Sequence, residues 1–486
     1  MNGRWRSVGG WIVVTLLLIG GAPVADGADL KADAEQALDK AVTFFATKVA
    51  RHGGYVYLYS ADLSKSEAEG KTGPDTVWVQ PPGTPAVADA LLLAWKRTGN
   101  QRCLDAAVAA AECLRQGQLE SGGWQDRVEF GKDRPGERYR TNERSSRRAR
   151  NNSSFDDDKT QSVLRFLIRL DQAFEFKKPA VHEPVTYALD AILKAQRPNG
   201  GWPQVWTEPA SPDEYTVATA RMPSEWPRKY PGGDYWVHTT LNDNAIADTL
   251  DVLWLAAEVY REPQYRDAAI RGGRFLVAAQ LPEPQPGWAQ QYNANMEPAW
   301  ARKFEPPAVS AGESQGVIAA LVRCFLETGD RTFLKPVGPA LAWLDRSRLA
   351  DGQVARFYEL GSNRPLYFTT AYELTYDDSN LPTHYGFKVP SKTDALRKSF
   401  EKVSKATPDQ RNDERNKLYR DSKSPPGEAA VRGIIDALDE RGAWVEEGRF
   451  KYHGKGDGTR QIIASETFIR NIDQLSRYLA GGKTGR

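Results

Sequence analysis

Three times along the chain a pair of helix-like segments closes on a glycine followed by a tryptophan. "TPAVADALLLAWKRTGNQRCLDAAVAAAECLRQGQLESGGW" ends at Trp124, and "FDDDKTQSVLRFLIRLDQAFEFKKPAVHEPVTYALDAILKAQRPNGGW" ends at Trp202. "LNDNAIADTLDVLWLAAEVYREPQYRDAAIRGGRFLVAAQLPEPQPGW" ends at Trp288, and a degenerate fourth copy runs from "GESQGV" to Glu359. A repeat of this length is one supersecondary unit that buries its apolar face only against its neighbours. Leu164, Leu167 and Phe174 share one helical face, as do Ile246, Leu250 and Leu253. The first helices, such as "AIADTLDVLWLAAEV", are apolar nearly all round, which suits an inner ring packed on both sides. Few units and long loops favour an all-α fold, an α/α toroid of helical hairpins, over an open solenoid. The glycines before Trp124, Trp202 and Trp288 allow sharp turns that an indole can pin.

In such a ring, the loop after each second helix and the start of the next first helix lie at the same end. The Trp124, Trp202 and Trp288 loops are therefore expected on one rim, joined by Asp156, Asp243 and Glu313, which open successive units. Arg302 sits between the Trp288 loop and Glu313. It belongs to "EPAWARKFEP", where Pro298, Pro306 and Pro307 exclude a helix and hold an extended loop.

The chain has 486 residues, with 40% hydrophobic and 26% charged side chains and a net charge of +2. That balance gives no field for nucleic acid. Arg4 and Arg6 precede the apolar run "WIVVTLLLIG", with small residues around Ala25 and Gly27, so residues 1–27 read as a signal peptide and 28–486 as the mature toroid. A soluble, secreted or periplasmic monomer is expected. Cys103, Cys113 and Cys324 are odd in number and lack metal spacing; Cys103 and Cys113 stand roughly 15 Å apart on one helix, so all three read as core. Two segments interrupt the repeat. Residues 132–150 carry eight basic and three acidic side chains, and residues 388–426 are charged by turns. The aromatic stretches "ERGAWVEEG" and "KYHGKG" are placed to close the ring.

An acidic residue at a helix start is ordinarily a cap contributing about 0.5–2 kcal/mol. Asp156, Asp243 and Glu313 converging with Asp157, Asp158 and Asn242 form a set of oxygen donors that suits Ca²⁺. The five histidines have no partner at zinc spacing. Arg302, Lys303 and Arg356 bring cations to the same rim, and a polyanion accounts for both signs: its charges meet the cations directly and a divalent cation bridges the rest. Trp202, Trp288 and Asn242 join Lys303 and Arg356 as candidate substrate contacts. No nucleophile elbow, phosphate loop or Cys/His pair is present. A carboxylate pair acting on a glycosidic bond stays open on spacing alone.

The blocks "NGGWPQVW", "LNDNAIADTL", "GWAQQYNANMEPAWARKFEP", "SAGESQGV" and "ARFYELGSN" resemble those of pectate lyases of polysaccharide lyase family ten, in family order from about Ser154 to Phe368. The resemblance implies an α/α toroid and Ca²⁺-dependent cleavage of polygalacturonate by β-elimination. It also implies that Asp156 and Asp243 hold the metal, that Arg302 is the catalytic base and that Arg356 binds substrate. Asn244 stands where the family often shows a second acid, and Trp300, Lys303 and the two insertions have no place on the family pattern. The competing readings are a triterpene cyclase-like toroid, which the run ending at Trp288 also resembles, and a carbohydrate-binding protein without activity. The cation-rich rim and the export signal speak against the cyclase.

Overall fold

The computed structural model describes residues 27–131, 136–141, 146, 148–421 and 424–481. The signal segment therefore lies outside the described residues, apart from Gly27, as do parts of the basic insertion.

Four hairpins follow the repeat. They are α2 (Thr84–Thr98) with α3 (Gln101–Gln116), α4 (Lys159–Ala173) with α5 (Pro179–Ala195), α6 (Ala245–Tyr260) with α7 (Pro263–Ala278), and α8 (Ala311–Thr328) with α9 (Val337–Arg346). The first members stand side by side in the order α2, α4, α6, α8, and the second members pack outside them. Ile246, Leu250, Leu253 and Trp254 of α6 are all buried, as expected of an inner helix.

Each loop between units repeats one device. The indole Nε1 of Trp124 donates to the Leu114 carbonyl at 2.7 Å, that of Trp202 to Ile192 at 2.9 Å and that of Trp288 to Leu276 at 2.7 Å. Burying an aromatic ring with its one polar atom satisfied fixes the loop against its own helix. The loop also has to lie close to the next outer helix. A Cβ on Gly122 (φ +104) would meet the Ala191 Cβ at 2.3 Å, and one on Gly200 (φ +92) would meet the Arg271 carbonyl oxygen at 2.4 Å. Only glycine combines that backbone conformation with that approach.

Short antiparallel ladders then tie each loop to the start of an inner helix. Ser153–Ser154 pairs with Val205–Trp206 ahead of α4, Thr239–Thr240 with Gln291–Tyr292 ahead of α6, and Val309–Ser310 with Phe357–Tyr358 ahead of α8. All three helix starts are thereby held on one rim.

The ring is completed by the two ends of the chain. α13 (Ser465–Gly481) packs along α2 and against α1 (Gly27–Phe44), an inner and outer pair drawn from opposite ends of the sequence. Leu58–Ser60 pairs with Ile462–Ala464, and Phe45 stacks on Phe468 with centroids 3.7 Å apart. The charged stretch 388–426 forms α10 (Thr393–Ser404) and α11 (Pro408–Lys417), both packed on α8, and α12 (Glu428–Asp436) follows on α1. Trp444 repeats the pinned-loop device by donating to the Ile434 carbonyl at 2.9 Å. The α/α toroid expected from the repeat is the observed architecture. The three cysteines are buried and free. Among the described residues no helix is long and apolar enough to cross a membrane.

Candidate active site

Helices α4 and α6 begin through the same tight turn. In Asp156–Asp158, Asp157 (φ 49, ψ 36) and Asp158 (φ 61, ψ 24) are left-handed; in Asn242–Asn244, Asp243 (φ 46, ψ 39) and Asn244 (φ 59, ψ 19) repeat it. Asp and Asn visit this region more readily than other side chains, yet two in succession carry strain of order 1–3 kcal/mol each. Both turns are held alike: Asp156 N–H donates to Ser154 Oγ and Asn242 N–H to Thr240 Oγ1, each at 3.1 Å.

The two turns bring one carboxylate oxygen from each of Asp156, Asp157 and Asp243 within 4.8 Å of one another. Such crowding is electrostatically costly. Burial, and then the Asp156 charge, push the Asp157 carboxyl up to about 6. Burial, with Asp157 and Glu313 beside it, pushes Asp243 up to about 7. Partial relief comes from Lys159, whose Nζ lies 3.2 Å from Asp156 Oδ2, and from Asn242, whose Nδ2 donates to Asp243 Oδ2 at 2.8 Å. The Asn242 Oδ1 is buried without a hydrogen-bond partner. The three carboxylates make an all-oxygen donor set that a hard divalent cation such as Ca²⁺ fits, and the Asn242 amide beside it has its own oxygen orphaned.

The cations stand around this cradle. Arg302 grips Glu305 through two parallel bonds, Nε to Oε2 at 2.8 Å and Nη2 to Oε1 at 2.5 Å, while Nη1 has no hydrogen-bond partner among the described residues. Glu305 is fully buried and also accepts from the Tyr385 hydroxyl at 3.0 Å. Burial works to lower the Arg302 pKa, but the Glu305 pair more than reverses it and holds the guanidinium above the usual arginine value. The Arg302 charge reaches the cradle, where it lowers Asp157. Arg356 donates through Nε to the Gly386 carbonyl at 2.8 Å and through Nη1 to Glu313 Oε1 at 3.4 Å, with its guanidinium 4.8 Å from the Tyr385 ring centre.

The expected site residues are thus distributed as follows. Asp156, Asp243 and Asn242 meet at the cradle, with Arg302 and Arg356 beside it. Glu313 is buried next to Asp243 but engaged by the Ser310 hydroxyl and Arg356, and it is not one of the three clustered carboxylates. Lys303 turns away from Arg302, its Nζ 3.6 Å from the Tyr372 ring centre. Trp202 and Trp288 correct the expectation of substrate contact: they are 1% and 0% exposed and serve as loop pins. Lys159, Glu305 and Tyr385 have no counterpart in the sequence reading, whereas Asp157, expected only as a neighbouring oxygen donor, takes the place expected of Glu313 as the third carboxylate. Superposing "FDDDKT" on "LNDNAI" aligns Asp157 with Asp243, and that is the signal that finds it.

A helical ring with an acidic cradle and arginines on one rim defines an α/α toroid protein. Residues 118–355 match the family model described as pectic acid lyase, a match that supports the pectate lyase family. No curated protein matches the chain. Among solved structures, a family 10 polysaccharide lyase from Cellvibrio cellulosa, an aspartate-to-alanine mutant in complex with trigalacturonic acid, shares 20% identity over 66% of this chain and 98% of its own, with a TM-score of 0.46. A second structure of the Cellvibrio enzyme shares 20% over 60% and 91%, at 0.45, and a D-mannose isomerase 13% over 94% and 99%, at 0.44.

Proposed function

We propose that the protein is a pectate lyase that cleaves polygalacturonate by Ca²⁺-dependent β-elimination. The observation that carries this reading is the Asp156–Asp157–Asp243 cradle with the free Nη1 of Arg302 on the same rim. Asp156, Asp157 and Asp243 would hold the cation, with Asn242 beside them. Bound there, Ca²⁺ supplies positive charge against a substrate carboxylate and so stabilises the charge that develops at C5 when its proton leaves. Arg356, fixed by Glu313 and Gly386, orients a uronate carboxylate. Glu305 and Tyr385 hold Arg302 in one rotamer, leaving Nη1 for the C5 proton. As that proton leaves, its electron pair forms the C4–C5 double bond, the C4–O4 bond breaks, and O4 takes a proton from water. The ion pair with Glu305 makes the neutral guanidine scarce, so the rate climbs with pH throughout the alkaline range.

The test is incubation with polygalacturonate while following the ultraviolet absorbance of the unsaturated product, with and without chelator. Absorbance that grows with Ca²⁺ and stops with chelator is expected. Release of reducing ends without absorbance identifies hydrolysis and overturns the reading.

A further inference from the structure

Trp300 stands between two cavities. Its indole Nε1 donates to the Pro227 carbonyl at 2.9 Å, locking the 223–238 loop onto the loop that carries Arg302. On one side is a cavity of about 430 Å³ bordered by Glu225, Asp234 and Glu297, with no lysine or arginine in its wall. On the other is a cavity of about 550 Å³ bordered by Arg228, Lys229 and Lys303 against a single carboxylate, Glu373. Arg228 is already paired with Glu359. Among the described residues, Lys229 and Lys303 form no ion pair. The second cavity is also aromatic: Tyr230 meets Trp300 edge-on at 5.8 Å and is 39% exposed, and Tyr372 stacks on Phe304 at 5.6 Å beneath the Lys303 ammonium.

The two cavities have opposite electrostatic character on either side of one tryptophan, and Lys303 is the chain neighbour of Arg302. A polyanion leaving the Arg302 centre meets three carboxylates one way, of which Glu297 is paired with Arg221, and two ammonium groups outside any ion pair the other. An exposed ring such as Tyr230 presents the apolar face on which a sugar ring packs, with the polar handle left wet. We propose that the Lys229–Lys303–Tyr230 cavity is a distal subsite for a uronate unit beyond those at the reacting bond. The two lysines receive its carboxylate, Tyr230 and Trp300 flank its ring, and the bound polysaccharide runs along this side of the loop. The inference rests on the polygalacturonate reading and adds to it a direction and a preference for longer chains. Tyr372 and Phe368, which complete the wall, lie beyond the stretch that matches the family model.

The experiment compares kcat/KM on trigalacturonate and hexagalacturonate for the wild type, the Lys229→Gln/Lys303→Gln double variant, Tyr230→Ala, and Glu225→Gln from the acidic cavity. The hexamer-to-trimer ratio is expected to fall at least tenfold in the double variant and in Tyr230→Ala, and to stay within twofold of wild type in Glu225→Gln. A ratio unchanged in the lysine variant, or shifted only by Glu225→Gln, overturns the proposal. If the wild type gives no unsaturated product from either oligomer, the lyase reading fails by itself. Calorimetric binding of hexagalacturonate then decides the subsite: tenfold weaker binding by the double variant supports it, and equal binding overturns it.

Discussion

Arg302 and Arg356 are both arginines beside carboxylates, yet their surroundings assign them different work. Arg302 has Nε and Nη2 both gripped by the one carboxylate of Glu305, whereas Arg356 is anchored through Nε to a backbone carbonyl and through Nη1 to Glu313. Replacing Arg302 with Ala is expected to lower kcat by at least a thousandfold with little change in oligogalacturonate affinity. Arg356→Ala should mainly raise KM, since a clamp contributes to ground-state and transition-state binding alike. Steady-state kinetics beside equilibrium titration separate the two outcomes. Loss of binding in Arg302→Ala makes it the clamp. The raised carboxyls make a second prediction. With folded values of about 6 and 7 against an ordinary 3.8, Asp157 and Asp243 bind protons in the native state that the unfolded chain has released. Metal-free protein therefore loses stability as pH rises from about 4 to 7. Asp243→Asn should melt higher than wild type at pH 8 in chelator, with the gain absent near pH 4, and should melt lower once Ca²⁺ is in excess, because the cation needs the charge. Melting curves that show no such reversal remove Asp243 from the cradle.

At the scale of elements, the cradle is held from below by contacts that touch no substrate. The Asp158 carboxylate is bound by Arg165 two turns along α4, and a Cβ on Gly316 of α8 would meet Asn244 Oδ1 at 2.2 Å. Gly316→Ala must move Asn244 and with it the left-handed turn that aims Asp243. The Ca²⁺ concentration for half-maximal activity should rise at least fivefold while circular dichroism stays native. Gly338→Ala in α9, where a Cβ meets nothing within 4 Å, should leave it unchanged. Elements were also the scale at which the sequence was most readable. The hairpins from α2 to α9 follow from apolar periodicity and the recurring Gly–Trp ending, because a pinned loop needs those two residues adjacent. Asp156 and Asp243 were legible because they open repeats. Asp157 was legible only as one of the oxygen donors near them, since periodicity carries no trace of the left-handed turn that brings it into the cluster. Trp202 and Trp288 misled because an indole in a rim loop is a pin or a platform according to whether a helix carbonyl accepts its N–H. Glu305 has a local partner in Arg302, three residues back, but its other partner, Tyr385, is 80 residues away and leaves no local trace.

Over the whole molecule, the least legible part was the seam, where α13 and α1 share no repeat and meet only because the ring has to close. It is nonetheless core. Leu475 in α13 is fully buried, and Leu475→Ala should cost about 2–5 kcal/mol. Thermal melts should show that loss while the initial rate on polygalacturonate at 25 °C stays near wild type; an unchanged melting temperature makes α13 peripheral. The seam also orders events in time. The Ser465 hydroxyl donates to the Val56 carbonyl across 409 residues of sequence, so α1 and the strand after it must wait, their apolar faces uncovered, until nearly the whole chain has been made. Loop closure of that span is slow and aggregation-exposed. The toroid is therefore a structure in which α1 is covered only after α13, more than 400 residues further along the chain, has reached it.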